Sequence, residues 1–120
     1  MIWAKWGSVF MFLGVALGAF GSHILRTKIS DYYLDVYKTG VWYHLVHALG
    51  LFAVAWLSTI LNDPKVDAVG YLFVAGILFF SGSLYLLAIT GQKWLGAVTP
   101  LGGLSMLTGW AILFFCLVKK

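Results

Sequence analysis

The sequence predicts an all-α integral membrane protein with four transmembrane helices, and three observations favour this fold class. First, hydrophobic residues fill 62% of the 120 positions and charged residues only 10%, whereas a soluble domain has about 25% charged residues to wet its surface. Second, the mean hydropathy is +0.94. Third, the apolar residues form four runs long enough to cross the hydrocarbon core of a bilayer, which takes about 20 residues of helix.

The predicted spans cover residues of about 2–25, 40–61, 68–90 and 99–118, within a single domain of residues 1–120. The first span holds one charge, Lys5, near enough to its end to reach the interface. Its basic start also fits a signal peptide, but the apolar stretch is long for that role, so we interpret it as a span. The fourth span ends in Lys119 and Lys120, a cationic stop at the interface.

Two of the connections between spans are short and carry turn residues. Asn62-Asp63-Pro64 predicts a turn, because Asn and Asp bond their own backbone and Pro ends a helix. Gly91 stands where a glycine commonly ends a helix. Thr99 is predicted to cap the fourth helix, with Pro100 in its first turn.

The connection between the first two spans predicts a short amphipathic helix in the membrane interface. An apolar, aromatic face follows helical spacing through Ile29, Tyr32, Tyr33, Val36 and Tyr37. Charged residues take the opposite face, and only Leu34 breaks the pattern. Tyrosines at this depth suit an interfacial position. Ser30 can cap the start of this helix, and Gly40 can bend it into the second span.

Small residues recur at helical spacing within the spans and predict close helix packing. Gly7, Gly14 and Gly21 lie seven residues apart in the first span, and Gly102 and Gly109 repeat this step in the fourth. Lipid tails are as apolar as leucine, so helices associate in a membrane through such close contacts. The same faces are open to contacts between copies, which makes a homo-oligomer plausible.

The charges favour a membrane location over nucleic-acid binding. The net charge of +4 is spread over short clusters between apolar runs, which suits interfacial anchors and not an RNA-binding stripe. Lysine and arginine counts on the two sides tie, and the pair at the C-terminus with the N-terminal amine favours cytoplasmic termini, both on one side. The sole cysteine, Cys116, allows neither an intrachain disulfide nor a cysteine zinc cage.

Three histidines lie in or at the spans: His23, His44 and His47. Ionisable groups are costly in lipid and face the bundle interior or water. His44 and His47 share a helical face, and His23 ends the first span on the side where the second begins, so one shared level is expected. Such a cluster suggests a metal or haem site, a proton relay, or bonds to a neighbouring backbone or a tyrosine such as Tyr43. With no carboxylate in any span to orient a ligand, we predict neither metal nor cofactor.

Two further segments carry polar residues inside the bundle. Ser81, Ser83 and Tyr85 lie in the third span, where serine more often bonds a backbone carbonyl than acts as a nucleophile. The segment from Gly96 to Gly103 is predicted to dip back into the membrane. The helix start at Thr99, with Gly102 and Gly103, then presents free N–H groups that suit an anion or lipid headgroup. Tyr33 and Tyr37 are the candidate lipid contacts of the interfacial helix.

Several of these motifs occur in an order that resembles a known family. They are Gly18-Ala19-Phe20-Gly21-Ser22-His23, Tyr43 with His47-Ala48-Leu49, Phe80-Ser81-Gly82-Ser83-Leu84-Tyr85, Leu95-Gly96, Thr99-Pro100-Leu101-Gly102-Gly103 and Gly109-Trp110. Together they resemble the bacterial family called domain of unknown function 423, which is similar to eukaryotic transmembrane protein 256. The resemblance implies a four-helix inner-membrane protein without an established activity. The family motif reads Gly-Ala-His where this chain has Gly21-Ser22-His23. His23 and His47 match motif positions and His44 does not, which argues against a site that needs all three.

Three classes of function follow from these features. The leading hypothesis is a non-enzymatic membrane protein that binds a lipid or a partner membrane protein, because no reactive constellation is complete. The second is a small oligomeric channel or carrier built around the intramembrane histidines. The third is a histidine-dependent membrane enzyme or a metal or haem protein that uses His23 and His47.

Overall fold

The structure, a computed structural model, describes residues 1–119, and that part of the chain is helical without any strand. Its helices are α1 (Ile2–His23), α2 (Asp31–Leu61), α3 (Lys65–Gly76), α4 (Gly82–Thr90) and α5 (Thr99–Val118). Turns of 3-10 helix follow α1 at Leu25–Thr27 and precede α5 at Lys93–Ala97, and a π-helical turn at Ile77–Ser81 joins α3 to α4. Of the predicted cationic stop, Lys119 follows α5 directly, and Lys120 lies outside the described residues.

Four helical stretches are long and apolar enough to cross a membrane: Ile2–Thr27, Asp31–Leu61, Lys65–Thr90 and Lys93–Val118. We call them the first to fourth spans. Large apolar side chains point away from the bundle, with Phe12 74%, Trp42 66% and Leu107 68% exposed. Lipid accepts such a surface, and helices satisfy their own backbone groups there. The predicted all-α fold, with four helices long and apolar enough to span a membrane, is confirmed.

The second span differs from its prediction, because α2 begins at Asp31 and runs without interruption to Leu61. The Ser30 hydroxyl accepts the Tyr33 amide at 3.2 Å and caps this start, as predicted. The helix is not interrupted at Gly40, which is buried inside it beneath the Tyr85 ring. The segment predicted as a separate interfacial helix is therefore the first turns of α2, and its buried face includes Leu34, the residue that broke the predicted pattern.

The first span packs antiparallel against the second along its stripe of glycines. A Cβ added at Gly7 would lie 2.9 Å from the Phe52 ring, and one added at Gly14 would lie 2.6 Å from the Leu45 side chain. The Tyr37 ring covers Gly21 in the same way. Each contact is possible only because glycine has no side chain, so the glycine stripe lets α1 approach α2 closely over its whole length.

The opposite end of the first span is tied to the third span by a tryptophan. Trp3 is 3% exposed, and its indole N–H donates to the Asp67 carboxylate at 2.7 Å. Its ring lies over Gly70 and meets the edge of Tyr71, with ring centroids 4.9 Å apart. This contact closes the bundle at the end that holds the start of α1 and the end of α5.

The third span changes neighbours at its π-helical turn. The Gly82 amide bonds the Ile77 carbonyl, five residues back, which inserts one extra residue into the helix. Before the turn, α3 packs on α5 as well as on α2; after it, α4 packs mainly on α2. The turn therefore redirects the span within the bundle.

The fourth span begins differently from its prediction, because Thr99 is not the cap. The N-cap position is Val98, which offers no side-chain cap, while Pro100 lies in the first turn as predicted. The preceding 3-10 turn supplies backbone acceptors: the Val98 amide bonds the Leu95 carbonyl and the Leu101 amide bonds the Val98 carbonyl, both at 3.0 Å. The exposed anion-binding helix end expected at Thr99 is therefore largely occupied by the chain itself.

The connection between the second and third spans contains a carboxylate with a shifted titration. Asn62 adopts the left-handed conformation that ends α2, with φ 50°, and Asp63 accepts the Lys65 amide at 2.9 Å. This backbone hydrogen bond is the main reason that the pKa of Asp63 lies below its ordinary value. The ionised carboxylate thus helps to begin α3.

We expect a pH dependence from Asp63 with a definite sign. Because its pKa is lower in the folded state than in the unfolded chain, it stabilises the fold above the unfolded pKa, about 3.9. That contribution is lost as the pH falls through the folded pKa. In micelles, the Lys65 amide resonance should shift with a midpoint below 3.9, and Asp63→Asn should abolish the transition. A midpoint at or above the ordinary value would contradict the capping role.

Candidate functional site

The centre of the bundle contains a histidine that joins three helices. His44 on α2 is 3% exposed, its Nε2 lies 2.7 Å from the Phe10 carbonyl on α1, and its Nδ1 lies 2.7 Å from the Tyr85 hydroxyl on α4. A carbonyl can only accept, so Nε2 carries the proton, and in the neutral ring Nδ1 accepts from Tyr85. Gly14 makes room for this ring, because an added Cβ would lie 3.3 Å from it.

Tyr37 extends this polar contact toward the start of α2. Its ring is 1% exposed and lies 5.1 Å from the Tyr85 ring between centroids. Its hydroxyl donates to the Leu17 carbonyl on α1. Tyr37 is therefore a core residue that binds α1 to α2, and the interfacial lipid contact predicted for it is not available on the bundle surface.

The two candidate serines of the third span also bond the bundle itself. Ser81 is fully buried in the π-helical turn and donates to the Gly40 carbonyl at 2.7 Å. Ser83 lies 2.6 Å from the Thr99 hydroxyl and 3.0 Å from the Phe80 carbonyl. Neither serine contacts a histidine that would activate it as a nucleophile.

The second buried histidine, His47, joins α2 to α5. Its Nδ1 lies 2.8 Å from the Tyr43 carbonyl, and its Nε2 accepts the Trp110 indole N–H at 2.9 Å. Indole nitrogen only donates, so the proton of the neutral ring is on Nδ1. His44 and His47 are thus held in opposite tautomers, and binding a metal to either would break an existing hydrogen bond.

The three histidines do not share one level, which differs from the expectation. His23 is exposed at the end of α1. His44 bonds the carbonyl of Phe10, which lies on α1 thirteen residues before His23, about 20 Å away along that helix. Within residues 1–119 no group of three or more His, Cys, Asp or Glu side chains is placed to hold a metal ion. The expectation failed because the second span begins early, so that its residue 44 lies deep in the bundle.

The polar contacts do not form a continuous path for protons. The His44 chain begins at Tyr85 and ends on the Phe10 carbonyl, and the His47 chain begins at Trp110 and ends on the Tyr43 carbonyl. A carbonyl oxygen carries no proton to pass on. In this geometry the networks lock helices together through hydrogen bonds that are already made.

Several grooves on the surface of the bundle are open to a ligand, among them two that contain candidate site residues. The first, which we call the headgroup groove, has a volume of about 500 Å³ and lies where α2 begins and the third span ends. It is lined by Tyr32, Tyr33, Leu87, Lys93 and Gly96. The second, the midspan groove, has a volume of about 280 Å³ and lies between α2, the third span and α5. It is lined by Tyr43, His47, Phe80, Gly103, Met106 and Trp110.

Some of the candidate lipid contacts line an open groove, and the others are buried or bonded within the bundle. Tyr33 lines the headgroup groove, whereas Tyr37 is buried and Thr99 bonds Ser83. Gly102 is buried against the backbone of Phe80, so no ligand can reach it without separating the helices. Gly103 lines the midspan groove instead.

Sequence reasoning missed several residues that the geometry makes important. Lys93 was not among the predicted site residues, yet it lines the headgroup groove together with Tyr33. Trp110 could have been noticed, because it belongs to the Gly109-Trp110 motif. Its hydrogen bond to His47 could not, because the two residues are 63 positions apart in the sequence. The Phe10 carbonyl had no signal, because a backbone acceptor looks the same at every residue.

Comparison with known proteins identifies relatives across almost the whole chain. Residues 17–103 match the family described as "Protein of unknown function (DUF423)". The chain is similar to the UPF0382 membrane protein YwdK of Bacillus subtilis strain 168, with 49% identity over 94% of this chain and 93% of that protein. It is also similar to UPF0382 membrane proteins of Staphylococcus haemolyticus (42%) and Staphylococcus epidermidis (40%), each over 94% of this chain and 92% of the relative. No solved structure matches the chain.

Proposed function

This chain belongs to the DUF423 family of membrane proteins, and from that premise we propose that it binds an anionic phospholipid of the bacterial cytoplasmic membrane through its headgroup groove. The observation that supports the proposal is the lining of this groove, which combines two tyrosines and a lysine with an apolar floor. A phospholipid offers matching chemistry, a phosphate beside acyl chains.

The position of the groove favours a headgroup over a buried ligand. Lys93 follows the end of the third span, and Asp31 begins the second, so the groove lies at the level where charged side chains meet water. Tyrosine rings are enriched at this depth, with the hydroxyl toward the headgroups. Tyr32 is 69% exposed and Tyr33 half-buried, so both side chains are accessible to a phosphate that Lys93 would attract.

The structure also suggests how the acyl chain would be held. Leu87 lies on the floor of the groove, and Gly96 leaves it open, since no atom lies within 4 Å of a Cβ added there. A larger side chain at position 96 would therefore fill the groove without pressing on the bundle. This property makes the proposal testable with a variant that keeps the fold.

Lipid retention by the purified full chain, measured by native mass spectrometry, tests the proposal. With equal amounts of phosphatidylglycerol and phosphatidylcholine added, we expect the protein to retain phosphatidylglycerol preferentially. Lys93→Gln should remove the preference, because one charge near an anionic surface contributes about 1 kcal/mol, or about fivefold in binding. Gly96→Leu should reduce retention of both lipids.

Matched controls are available at other positions. Gly82 also has no atom within 4 Å of an added Cβ but lies in the third span away from the groove, so Gly82→Leu should bind as the unaltered chain does. Lys5→Gln removes a lysine at the opposite end of the bundle. If Gly96→Leu retained lipid like Gly82→Leu, or if the retained mass were a second protein copy instead of lipid, the proposal would be wrong.

A further inference from the structure

The midspan groove differs from the headgroup groove in both depth and chemistry. Phe80 on its wall is ten residues, about 15 Å of helix, from Thr90 at the near end of the third span and fifteen residues from Lys65 at the other. The groove therefore lies within the hydrocarbon layer. None of the residues that line it carries a formal charge, and Tyr43 and Trp110 are each 41% exposed at its mouth.

The walls of the groove are flat aromatic surfaces. The Tyr43 and Phe80 rings pack with centroids 4.6 Å apart, and the Tyr43 and His47 rings are nearly parallel, with an interplanar angle of 10°. Trp110 closes the far side against Phe73, with ring centroids 4.8 Å apart. Such surfaces favour a planar ring over a branched or flexible group, because stacked and edge contacts both need flat partners.

One polar group on a residue that lines the groove has no partner. Both nitrogens of His47 and the indole N–H of Trp110 are already bonded. Among residues 1–119, by contrast, the Tyr43 hydroxyl makes no hydrogen bond, although its backbone carbonyl accepts one from His47. A hydroxyl without a partner is costly in hydrocarbon, where water cannot serve it. An acceptor oxygen on a bound molecule would satisfy it.

We propose that the midspan groove binds a membrane-dissolved molecule with a planar ring that carries a carbonyl oxygen, the chemistry of a prenylated quinone. The ring would lie against Phe80 and Trp110, and one carbonyl at the edge of the ring would accept from the Tyr43 hydroxyl. The apolar tail would leave through the exposed mouth into lipid. A small number of placed polar groups in an apolar cleft is the usual composition of a ligand site.

The two obvious rivals fit the groove less well. A phospholipid headgroup would bring charge to a lining without any charged residue, at a depth where charge is expensive. An acyl chain alone would fill the space but leave the Tyr43 hydroxyl without a partner. Both rivals are separated from a quinone by the choice of probe.

Binding of a decyl-substituted benzoquinone to the full chain in micelles, measured by equilibrium dialysis, tests the proposal. We expect saturable binding near one quinone per protein. Tyr43→Phe removes only the hydroxyl and should weaken binding about tenfold, the effect of losing one neutral hydrogen bond. Gly103→Leu should abolish binding, because a Cβ there lies 3.7 Å from the Phe80 ring and the longer side chain would fill the groove.

Two controls keep the outcome decisive. Tyr71→Phe removes the hydroxyl of another exposed tyrosine, one that packs on Trp3 away from the groove, and should leave binding unchanged. Decylbenzene has the same tail and a flat ring but no acceptor oxygen, and it should bind about tenfold more weakly. The proposal is overturned if decylbenzene binds as tightly as the quinone, if Tyr43→Phe binds like the unaltered chain, or if binding is not saturable. Because Tyr43→Phe leaves the packing intact, the test stands even if Gly103→Leu does not fold.

Discussion

Replacing Gly102 with alanine is expected to lower the free energy of unfolding by about 3 kcal/mol, a large effect for one methyl group, since a tightly packed contact cannot accept it. An ideal Cβ at this position would lie 2.7 Å from the Cα of Phe80, well inside van der Waals contact. Phe80 belongs to the π-helical turn, and Ser81 beside it is bonded to Gly40. The backbone therefore cannot step aside without breaking other contacts. Unfolding in mixed micelles with increasing dodecyl sulfate, followed by circular dichroism, measures the loss.

The neighbouring glycine provides the control for this prediction. A Cβ at Gly103 would lie 3.7 Å from the Phe80 ring, an ordinary contact. Gly103→Ala should therefore change stability by less than about 1 kcal/mol, and in the stabilising direction, because alanine favours the helix. Equal stability of the two alanine variants would show that α5 does not approach the third span as closely as described.

Replacing His44 with phenylalanine is expected to lower the free energy of unfolding by about 2–3 kcal/mol, although ring volume is nearly kept. The change removes two hydrogen bonds and leaves the Tyr85 hydroxyl buried without its acceptor, and an unsatisfied buried group costs about 1–3 kcal/mol. The same unfolding assay measures the effect. Because His44 is the residue through which α1, α2 and α4 meet, the loss should appear in global stability and not only as local fraying.

A double-mutant cycle separates the hydrogen bond from simple packing. Tyr85→Phe alone leaves the His44 Nδ1 without a donor, whereas the double variant removes both partners, and such a pair of changes is less costly than its parts. We therefore expect the double variant to be more stable than the sum of the single effects predicts, by about 1 kcal/mol or more. Strict additivity would mean that the 2.7 Å contact contributes nothing to folding.

Much of the fold could be predicted from the sequence, since it depends on the length and period of apolar runs. The four spans, the Ser30 cap and the helix end at Gly91, where φ is 71°, follow from local signals. The start of α2 could not be predicted in the same way. Its first turns look amphipathic when the segment is considered alone. They continue into the second span because the Tyr37 ring packs on Gly21 of α1 and its hydroxyl donates to the Leu17 carbonyl of α1.

The candidate site was less predictable, for a related reason. Tyr43, His47 and Tyr85 were found as polar residues out of place in lipid, but their partners lie up to 63 residues away along the chain. Whether a polar side chain is occupied or free depends on those partners. From the sequence, His47 and Tyr43 were equally good candidates for binding a ligand. Only the three-dimensional contacts show that the His47 imidazole is already hydrogen-bonded and the Tyr43 hydroxyl is not.

The π-helical turn has a mechanical consequence for the bundle. The extra residue between Ile77 and Ser81 divides the third span into two shorter helices, α3 and α4, that have different neighbours. The first of these helices, α3, packs mainly on α5, and the second, α4, packs mainly on α2. A change in bilayer thickness would therefore act on two differently packed segments, and the hydrogen bond from Ser81 to the Gly40 carbonyl holds the turn between them to α2. Phe80 belongs to that turn and also forms a wall of the midspan groove, so the packing of the turn and the shape of the groove depend on the same residue.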